Sequence, residues 1–575
     1  MKDSVVIKRI WQFAKPYKWS FLGSYSILLV ELALLQIMPL FLEKVINFAV
    51  YEADLQKFLY AALWYAFVCL GCGACGYFQL ILWRRIHNKY VYNVRIACYR
   101  KVLRMKPKVL ADLKTGDVIR TINDDTAEFH HIIQRFGMRI FNAGIGTIVS
   151  LAIVAFMNWK IALLMAVVIP ISSILTKRLK AKMKKVSDEV RMKQGRYSAW
   201  LLEMLKGMRE VKLFVAEHTV LKQFMYKNKD IVESSIRQDI VQFQSDQLIE
   251  SIYFLADIMF YIVCGVFVAS GSINVGQYLA IASYFGMVSH TVRRILGGNV
   301  DYQKRKACVE RVFRLLDEEE EETDNLSELQ VTRGSIEIHN LFFSYDGNRD
   351  VLKNINLKVL PGEKIGVVGQ SGVGKSTLAN LLLRFYEPQE GEIRIDGQQL
   401  HKCTYCSVRQ AMGIVNQENI VFDTTIRENI TFGKSATDEE LCEILEKVYL
   451  KEEIMKLPDG LNTILGKNTL SLSGGQNQRL CIARLIFRNP RIIILDEATA
   501  ALDFETESIV QDALDELAKD RTTFVISHRY KALLQTDKIL VLREGEQVGY
   551  GPHDVLMAEN MYFADMFAGQ KEVQA

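Results

Sequence analysis

The sequence predicts a multi-domain membrane protein: an all-α domain of six transmembrane helices, followed by an α/β domain built around a phosphate-binding loop. Three observations predict this. The chain has 575 residues, which is more than one hydrophobic core organises. Up to about residue 300, long apolar runs alternate with basic stretches, whereas beyond about residue 330 the sequence is typical of a soluble α/β protein. The stretch GQSGVGKST lies between an apolar strand and a helix.

Composition and charge narrow the function classes. The net charge of +5 is small, so nothing in it calls for a nucleic-acid partner. The N-terminus, MKDSVVIKRIWQFAKPYKW, is basic and amphipathic and has no cleavage site, which predicts a helix on the cytoplasmic membrane surface and no secretory signal. Ten scattered cysteines suit a reduced compartment. The cluster Cys69, Cys72 and Cys75 and the pair Cys403 and Cys406 lack a complete ligand set nearby, so we expect structural roles.

Six windows are long and apolar enough to cross a bilayer, which takes about 20 apolar residues. They cover residues 20–42, 58–83, 137–157, 161–178, 251–270 and 275–296. The connections after the second and fourth windows are long and rich in Lys and Arg, so the positive-inside rule puts them and both termini in the cytoplasm. We expect a multi-pass protein of the cell (plasma or inner) membrane.

The fourth connection, residues 178–250, contains no proline and is rich in helix formers. Two helices of this length reach roughly 50 Å each at 1.5 Å per residue. We therefore expect a helix pair that extends into the cytosol and turns near Gly207.

Two features inside the predicted spans have alternative interpretations. The stretch GCGACG (Gly71–Gly76) fits a dinucleotide-binding pattern, but it has no preceding strand, so close helix packing explains it better. Glu31 and Asp257 are charged side chains at membrane depth. They either line a substrate cavity and recognise a cationic group, or pair with polar residues of neighbouring helices.

We expect the transmembrane domain to cover residues 1–316, an acidic linker 317–330, and the α/β domain 331–575. The linker begins with an acidic run, Asp317–Asp324, that we interpret as exposed.

The α/β domain carries a complete phosphate-binding loop. Its backbone N–H groups wrap a phosphate chain, Lys375 neutralises the β- and γ-phosphates, and the hydroxyl of Ser376 is a ligand of Mg²⁺. The predicted nucleotide-binding residues of this loop are Gly369, Ser371, Gly372, Gly374, Lys375, Ser376 and Thr377.

Two further strands end in polar residues. RIIILDEATAALD predicts a buried strand ending at Asp496, which holds Mg²⁺ through water, and at Glu497, which polarises an attacking water as general base. TFVISHRY predicts a strand ending at His528, placed to reach the γ-phosphate.

With these motifs in order, the chain resembles the ATP-binding cassette (ABC) proteins, whose signature is similar to the segment LSGGQ. That segment consists of Leu472, Ser473, Gly474, Gly475 and Gln476. By the same resemblance, Tyr345 stacks on adenine, Gln417 contacts Mg²⁺ as a catalytic residue, and Asp503 links two nucleotide sites. Six spans before one cassette resemble the half-transporter layout of type IV ABC exporters, and the resemblance covers nearly the whole chain.

This resemblance implies an ATPase that uses ATP and Mg²⁺ and works as a dimer, because two cassettes pack head to tail and each signature completes the other chain's site. The partner is a second copy, giving a homodimer, or a homologous half-transporter, giving a heterodimer. The expected function is ATP-driven export of a small hydrophobic or amphipathic molecule, such as a peptide, lipid or drug-like compound. Membrane lipids are further expected partners. The alternatives are an importer of the same architecture, for example of a siderophore-like compound, a non-transporting ATPase or an ATP-gated channel.

One position departs from the family. Exporters of this type usually show a glutamate and a glycine before the signature, whereas TILGKNT places Lys467 and Thr469 there. In the family, that segment touches the coupling helices, which TGDVIRTINDD and EMLKGMREVKLFVAE resemble. The reversed charge puts this contact pattern in doubt, though not the ATPase chemistry.

Overall fold

The computed structural model describes residues 3–133, 140–321, 326–416, 419–466, 472–498 and 504–571. By its internal contacts the chain forms two compact units. The membrane unit comprises residues 1–103 and 114–318, and the soluble unit comprises residues 104–113 and 319–575. The domain limits expected from sequence stay a prediction.

The described residues up to Asp317 are helical almost throughout. The helices are α1 (Asp3–Ala14), α2 (Lys18–Asn47), α3 (Leu55–Arg104), α4 (Pro107–Asp112), α5 (Thr115–Asn123), α6 (Glu128–Ile132), α7 (Ile140–Met157), α8 (Trp159–Lys206), α9 (Met208–Leu213), α10 (Glu217–Ala269) and α11 (Val275–Asp317). Helix α4 belongs to the soluble unit, and the other ten lie wholly or almost wholly in the membrane unit.

Within the described residues, three helical stretches are long and apolar enough to cross a membrane: Asp3–Glu52, Leu55–Arg104 and Glu217–Ala269. They contain the first, second and fifth predicted spans. Shorter apolar stretches, Phe141–Met157 and Trp159–Val168, fall on the third and fourth. The sixth predicted span lies in the first half of α11 and stays a prediction.

The long fourth connection forms the expected pair of helices. Helix α8 ends at Lys206 and α10 begins at Glu217, with the short α9 between them. Gly207 is the C-cap of α8, and its N–H donates to Glu203 O. The chain then turns back at Val215, which has φ 51°, a value that is rare for a β-branched residue.

Two glycines of α3 lie beside side chains of α2. A Cβ at Gly71 would lie 3.4 Å from Leu34 Cδ1, and a Cβ at Gly76 would lie 3.6 Å from Glu31 Oε1. The GCGACG stretch is helical, and its Gly71 and Gly76 lie at ordinary contact distance from α2. Close helix packing at this stretch stays a prediction.

A buried polar cluster joins α2, α7 and α11. Ser150 Oγ donates to Gln36 Oε1 at 2.8 Å, and Tyr284 OH donates to Gln36 O at 2.5 Å. Hydrogen bonds of this kind hold helices together where the surroundings are apolar. No sequence pattern singled out these three residues.

The soluble unit is built on one ten-stranded sheet in its described part. The strands are β1 (Ile336–Phe343), β2 (Leu352–Val359), β3 (Lys364–Val368), β4 (Glu390–Ile395), β5 (Gln398–Gln399), β6 (Met412–Val415), β7 (Ile492–Asp496), β8 (Thr522–Ile526), β9 (Lys538–Arg543) and β10 (Glu546–Gly551). Their order across the sheet is β5-β4-β1-β2-β10-β9-β3-β8-β7-β6.

Ten helices follow α4 in this unit. They are α12 (Lys375–Leu382), α13 (Tyr405–Ala411), α14 (Ile426–Thr431), α15 (Asp438–Lys447), α16 (Lys451–Met455), α17 (Gly474–Arg488), α18 (Phe504–Ala518), α19 (Tyr530–Leu533), α20 (His553–Glu559) and α21 (Met561–Lys571). The strands β9, β3, β8, β7 and β6 run parallel to one another. Their apolar runs are buried on both faces, which is typical of a parallel sheet covered by helices. The carboxyl ends of β3, β7 and β8 therefore carry the candidate site.

Residues 104–106 pair with the start of the acidic run inside the soluble unit. Lys106 N donates to Glu319 O at 3.3 Å, and Glu321 N donates to Arg104 O at 2.8 Å. Glu321 also receives two hydrogen bonds from Arg409, at 2.6 and 3.1 Å. The carboxylates of Asp317 and Glu319 are exposed, as expected, but the side chain of Glu321 is only 16% exposed.

Candidate active site

Strand β3 runs into the phosphate-binding loop, which then starts α12. Gly369 has φ 154° and Gly374 has φ 109°, conformations that favour glycine. A Cβ at Gly369 would lie 2.5 Å from Leu542 O, and one at Gly374 would lie 2.7 Å from Leu352 Cδ2. Ser371 and Gly372 are exposed at the tip of the loop. The loop can therefore bring backbone N–H groups against a ligand only with glycine at these positions.

Lys375 lies inside this loop. Its side chain is buried, and Nζ donates to Gly369 O at 2.8 Å and to Gln370 O at 3.0 Å. Burial lowers the pKa of Lys375, while the charges of Glu497 and Asp496 act to raise it. The ammonium is thus held on the carbonyls of the loop that is expected to surround the phosphates.

Ser376 and Asp496 bring two oxygen atoms together. Ser376 Oγ donates to Asp496 Oδ2 at 3.0 Å. Burial raises the pKa of Asp496, and the hydrogen bond from Ser376 acts against this. A hydroxyl and a carboxylate fit Mg²⁺, which prefers oxygen ligands and takes its remaining ones from phosphates and water. The residues described include no group of three or more His, Cys, Asp or Glu side chains arranged to hold a metal.

Glu497 and His528 face each other at the ends of β7 and β8. Glu497 Oε1 lies 3.2 Å from His528 Nε2. Glu497 has φ 49°, a strained conformation for a glutamate, and its N–H donates to Ile526 O at 3.0 Å. This backbone bond across the sheet holds the carboxylate beside the phosphate-binding loop. Strain of this kind clusters at functional sites.

Tyr345 is also linked to the phosphate-binding segment. Its hydroxyl is 3.0 Å from Thr377 Oγ1, in the first turn of α12. Tyr345 is 40% exposed, so part of it is open to solvent. The structure therefore brings Tyr345, Lys375, Asp496, Glu497 and His528 to one edge of the sheet.

The LSGGQ segment starts α17. Ser473 is the N-cap: its Oγ accepts from Gln476 N at 3.2 Å, and Gln476 Oε1 accepts from Ser473 N at 2.8 Å. This reciprocal pair is a capping box. Gly474 and Gly475 form the first turn, and Leu472 packs partly buried in front of it.

A residue that no motif indicated supports this helix start. Gln476 Nε2 donates to Glu453 Oε2 at 2.5 Å, and the buried Arg479 donates to Glu453 Oε1 at 3.0 Å. Glu453 lies on α16, in a sequence of ordinary helix formers, so its role becomes visible only in the fold.

Four residues of interest lie outside the described residues: Gln417, Asp503, Lys467 and Thr469. Their roles stay predictions, including the charge reversal before the signature. The two acidic candidates in the membrane unit are described. Glu31 on α2 lies beside Gly76 of α3, and Asp257 is half-buried on α10.

Comparisons with known proteins agree with this architecture. Residues 24–292 match the family described as "ABC transporter transmembrane region", and residues 352–500 match "ABC transporter". A Bacillus subtilis (strain 168) protein named "Putative multidrug export ATP-binding/permease protein YgaD" is 31% identical over 98% of this chain and 99% of its own length. A Staphylococcus aureus (strain bovine RF122 / ET3-1) protein, "Putative multidrug export ATP-binding/permease protein SAB1799c", is 32% identical over 98% of this chain and 100% of its own length.

A solved structure is similar over nearly the whole length. It is described as "Structure of a bacterial Atm1-family ABC exporter with ATP bound", and it superposes with a TM-score of 0.80 at 25% identity, covering 96% of this chain and 98% of that one. The predicted fold class and the family resemblance are therefore confirmed. The chain belongs to the ABC transporters and joins their transmembrane region and their ATP-hydrolysing domain in one polypeptide.

Proposed function

We propose that this chain is one half of a dimeric exporter that uses ATP hydrolysis to move a hydrophobic or amphipathic molecule out of the cell. The observation that carries the proposal is the polar cluster at the sheet edge. There the glycine loop, Lys375, the Ser376–Asp496 pair and the Glu497–His528 pair surround one place. The names of the full-length relatives favour export of drug-like compounds.

In the proposed reaction, the loop N–H groups bind the phosphates of ATP, and Lys375 exchanges its two carbonyl partners for phosphate oxygens. Ser376 and Asp496 would hold Mg²⁺, which when bound would neutralise charge on the phosphates. Glu497 accepts a proton from the attacking water, and His528 orients Glu497 and the γ-phosphate from the end of β8.

The second phosphate-binding element gives the reason for a dimer. The N-terminus of α17 offers backbone N–H groups and the positive end of a helix dipole. At the start of α17, the side chain of Gln476 bonds to Glu453 on α16. Lys375, in contrast, bonds to the carbonyls of its own phosphate-binding loop. Two chains packed head to tail would let each α17 complete the ATP site of the other chain. All catalytic residue types are present, which favours a homodimer over pairing with a homologous half-transporter.

We further propose that both termini and the long basic connections are cytoplasmic, in the plasma or inner membrane. The basic composition of the connections after the second and fourth spans supports this orientation. ATP binding would close the two cassettes onto each other, and hydrolysis would let them separate. This motion would switch the membrane helices between inward- and outward-facing states.

The test replaces Glu497 by glutamine, which keeps the shape and removes the base. In lipid nanodiscs, Glu497→Gln should lower ATP turnover by about 100-fold or more while a fluorescent ATP analogue still binds. Inside-out vesicles with the wild-type chain should accumulate a fluorescent amphipathic dye when ATP is added, and vesicles with the variant should not.

The exposed acid Glu546, changed to Gln, is the matched control and should keep full turnover. Wild-type turnover in Glu497→Gln would exclude Glu497 as the base. ATP-dependent loss of dye from inside-out vesicles would show import instead of export.

A further inference from the structure

Three aromatic rings meet edge to face next to the phosphate-binding loop. The ring centroids of Tyr345 and Phe343 are 4.9 Å apart at an interplanar angle of 84°, and those of Tyr345 and Tyr386 are 5.0 Å apart at 88°. Phe343 and Tyr386 close the group at 5.7 Å and 65°. Edge-to-face contacts of this kind are favourable beyond the area they bury. Two neighbouring rings therefore restrict the orientation of the Tyr345 ring, while the residue stays 40% exposed.

The backbone just before Tyr345 is held by a single side chain. Gln389 Oε1 accepts from Ser344 N at 2.8 Å, and Gln389 Nε2 donates to Ser344 O at 2.6 Å. The N–H of Gln389 also donates to Phe342 O at 3.1 Å. The carboxamide thus replaces a neighbouring strand for one residue, immediately before Tyr345, the residue expected to stack on adenine.

The far end of the ring is fixed as well, because the Tyr345 hydroxyl bonds to Thr377 Oγ1 at 3.0 Å. Backbone, ring edges and phenol are all held by neighbouring groups. Burial alone does not account for this arrangement, since Gln389 is exposed and Tyr386 is only half-buried. An exposed glutamine that bonds to both backbone groups of one residue has a positioning role.

We propose that Tyr386 and Gln389 are positioning residues for the nucleobase: they hold the Tyr345 ring ready to stack on adenine, and so set the affinity for the base without affecting the phosphates. This inference rests on the proposed function and on the expectation, from the family resemblance, that Tyr345 stacks on adenine. A ring that is ordered before binding loses less conformational freedom when the base arrives, which raises affinity. Neither residue touches the glycine loop, Lys375 or Asp496 in the hydrogen bonds described.

The experiment compares two ligands that share phosphates and differ in the base. Gln389→Ala and Tyr386→Leu are made in the full-length chain, and ATP hydrolysis is measured with inorganic triphosphate as competitor. Each variant should raise KM for ATP by about 3- to 10-fold, which is the size of one lost ring or backbone contact. Turnover at saturating ATP should stay within about twofold of wild type, and inhibition by triphosphate should not change.

Tyr386→Phe keeps the ring and removes only the hydroxyl, so this variant should have the wild-type KM. A purely structural role of the phenol would not predict a wild-type KM here. An equal loss of affinity for ATP and for triphosphate would overturn the inference, because it would place the damage in the phosphate-binding loop. An unchanged KM for ATP in Gln389→Ala would overturn it as well; this variant changes an exposed side chain, so folding does not confuse the result.

A parallel Tyr345→Ala variant separates this inference from the proposed function. A raised KM in Tyr345→Ala together with wild-type values in the two positioning variants would reject the positioning role alone. A wild-type KM in Tyr345→Ala would show that Tyr345 does not contact the base. It would therefore also reject the positioning role of Tyr386 and Gln389. Absence of ATP hydrolysis in the wild-type chain would reject the proposed function.

Discussion

Two helix N-termini in the soluble unit are built in opposite ways. Helix α12 starts behind Gly374, in a left-handed conformation, with no side-chain cap among the described residues. Helix α17 starts behind Ser473, which forms a full capping box with Gln476. The first leaves its N–H groups for a ligand on a backbone that only glycine allows, whereas in the second the N–H groups of Ser473 and Gln476 are already bonded within the capping box. The loop before α12, which is expected to surround phosphate, is therefore built differently from the start of α17, which is expected only to be presented to the phosphates of the other chain's ATP.

A third array of N–H groups extends the comparison. The carboxylate of Asp396 accepts hydrogen bonds from the backbone N–H groups of residues 332–335. Burial acts to raise the pKa of Asp396, but the bonds from Gly334, Arg333 and Ser335 outweigh it and lower the pKa to about 2. Here the chain supplies its own anion, so this array contributes to stability and has no room for a ligand.

The largest effect should come from the open array. Lys375→Ala removes the ammonium that is expected to bind the β- and γ-phosphates, so affinity for ATP should fall by about 100-fold. Binding of a fluorescent ATP analogue measures this. Lys364→Ala, at the other end of β3, is the control and should bind ATP as the wild type does. Wild-type affinity in Lys375→Ala would contradict the assignment of the phosphate site.

A smaller effect is expected at the capped helix. Ser473→Ala and Thr425→Ala each remove an N-cap from a capping box, in α17 and α14 respectively, so each should cost about 1 kcal/mol of stability. Only Ser473→Ala should also lower turnover, by about 10-fold, because its hydroxyl is proposed to contact the partner's ATP. Thermal unfolding and ATP hydrolysis separate the two effects.

Equal turnover in these two variants would reduce Ser473 to a helix cap. The position of the contact is checked by cysteines at Ser473 and Ser371, which should crosslink two chains when ATP is bound. Crosslinks confined to single chains would contradict the head-to-tail arrangement.

The smallest effect is expected at the filled array. Because the pKa of Asp396 is lowered, its contribution is present above its ordinary pKa of 3.8 and is lost as pH falls toward 2. Asp396→Asn should cost about 1 kcal/mol at neutral pH, seen as about fivefold faster hydrogen exchange of the amides of residues 332–335. The exposed Asp350, changed to Asn, is the control. If Asp396→Asn keeps the wild-type protection of these amides and still loses it between pH 4 and pH 2, the Asp396 carboxylate is not the group that protects them.

The fold class and the family were predictable because they depend on local patterns. The span lengths, the basic loops and the order of the phosphate-binding loop, the signature and the Asp496–Glu497 pair are all readable along the chain. The assignment of individual site residues stays a prediction, although the structure does bring Ser376 and Asp496 together at 3.0 Å. Spacing alone indicates which residue types take part in such a site.

Contacts between distant segments were not predictable. The bonds from Gln389 to Ser344 and from Glu453 to Gln476 join ordinary polar residues whose neighbours in sequence carry no motif. The Gln36–Ser150 bond in the membrane unit is of the same kind. Such pairs depend on the register of packed elements, which only the completed fold determines. The membrane unit carries no motif comparable to the phosphate-binding loop, so its substrate is harder to infer than its energy source.

The pairing of residues 104–106 with the acidic run has a consequence for the order in which the protein assembles. Lys106 and Glu319 are 213 positions apart. At about 5–20 residues per second, a ribosome needs roughly 10 to 40 s to add that stretch. During this time the segment after α3 waits without its partner, while the later membrane helices are made. The soluble unit therefore takes up a segment that is synthesised before the later membrane helices, and that segment stays without its partner until those helices have been made.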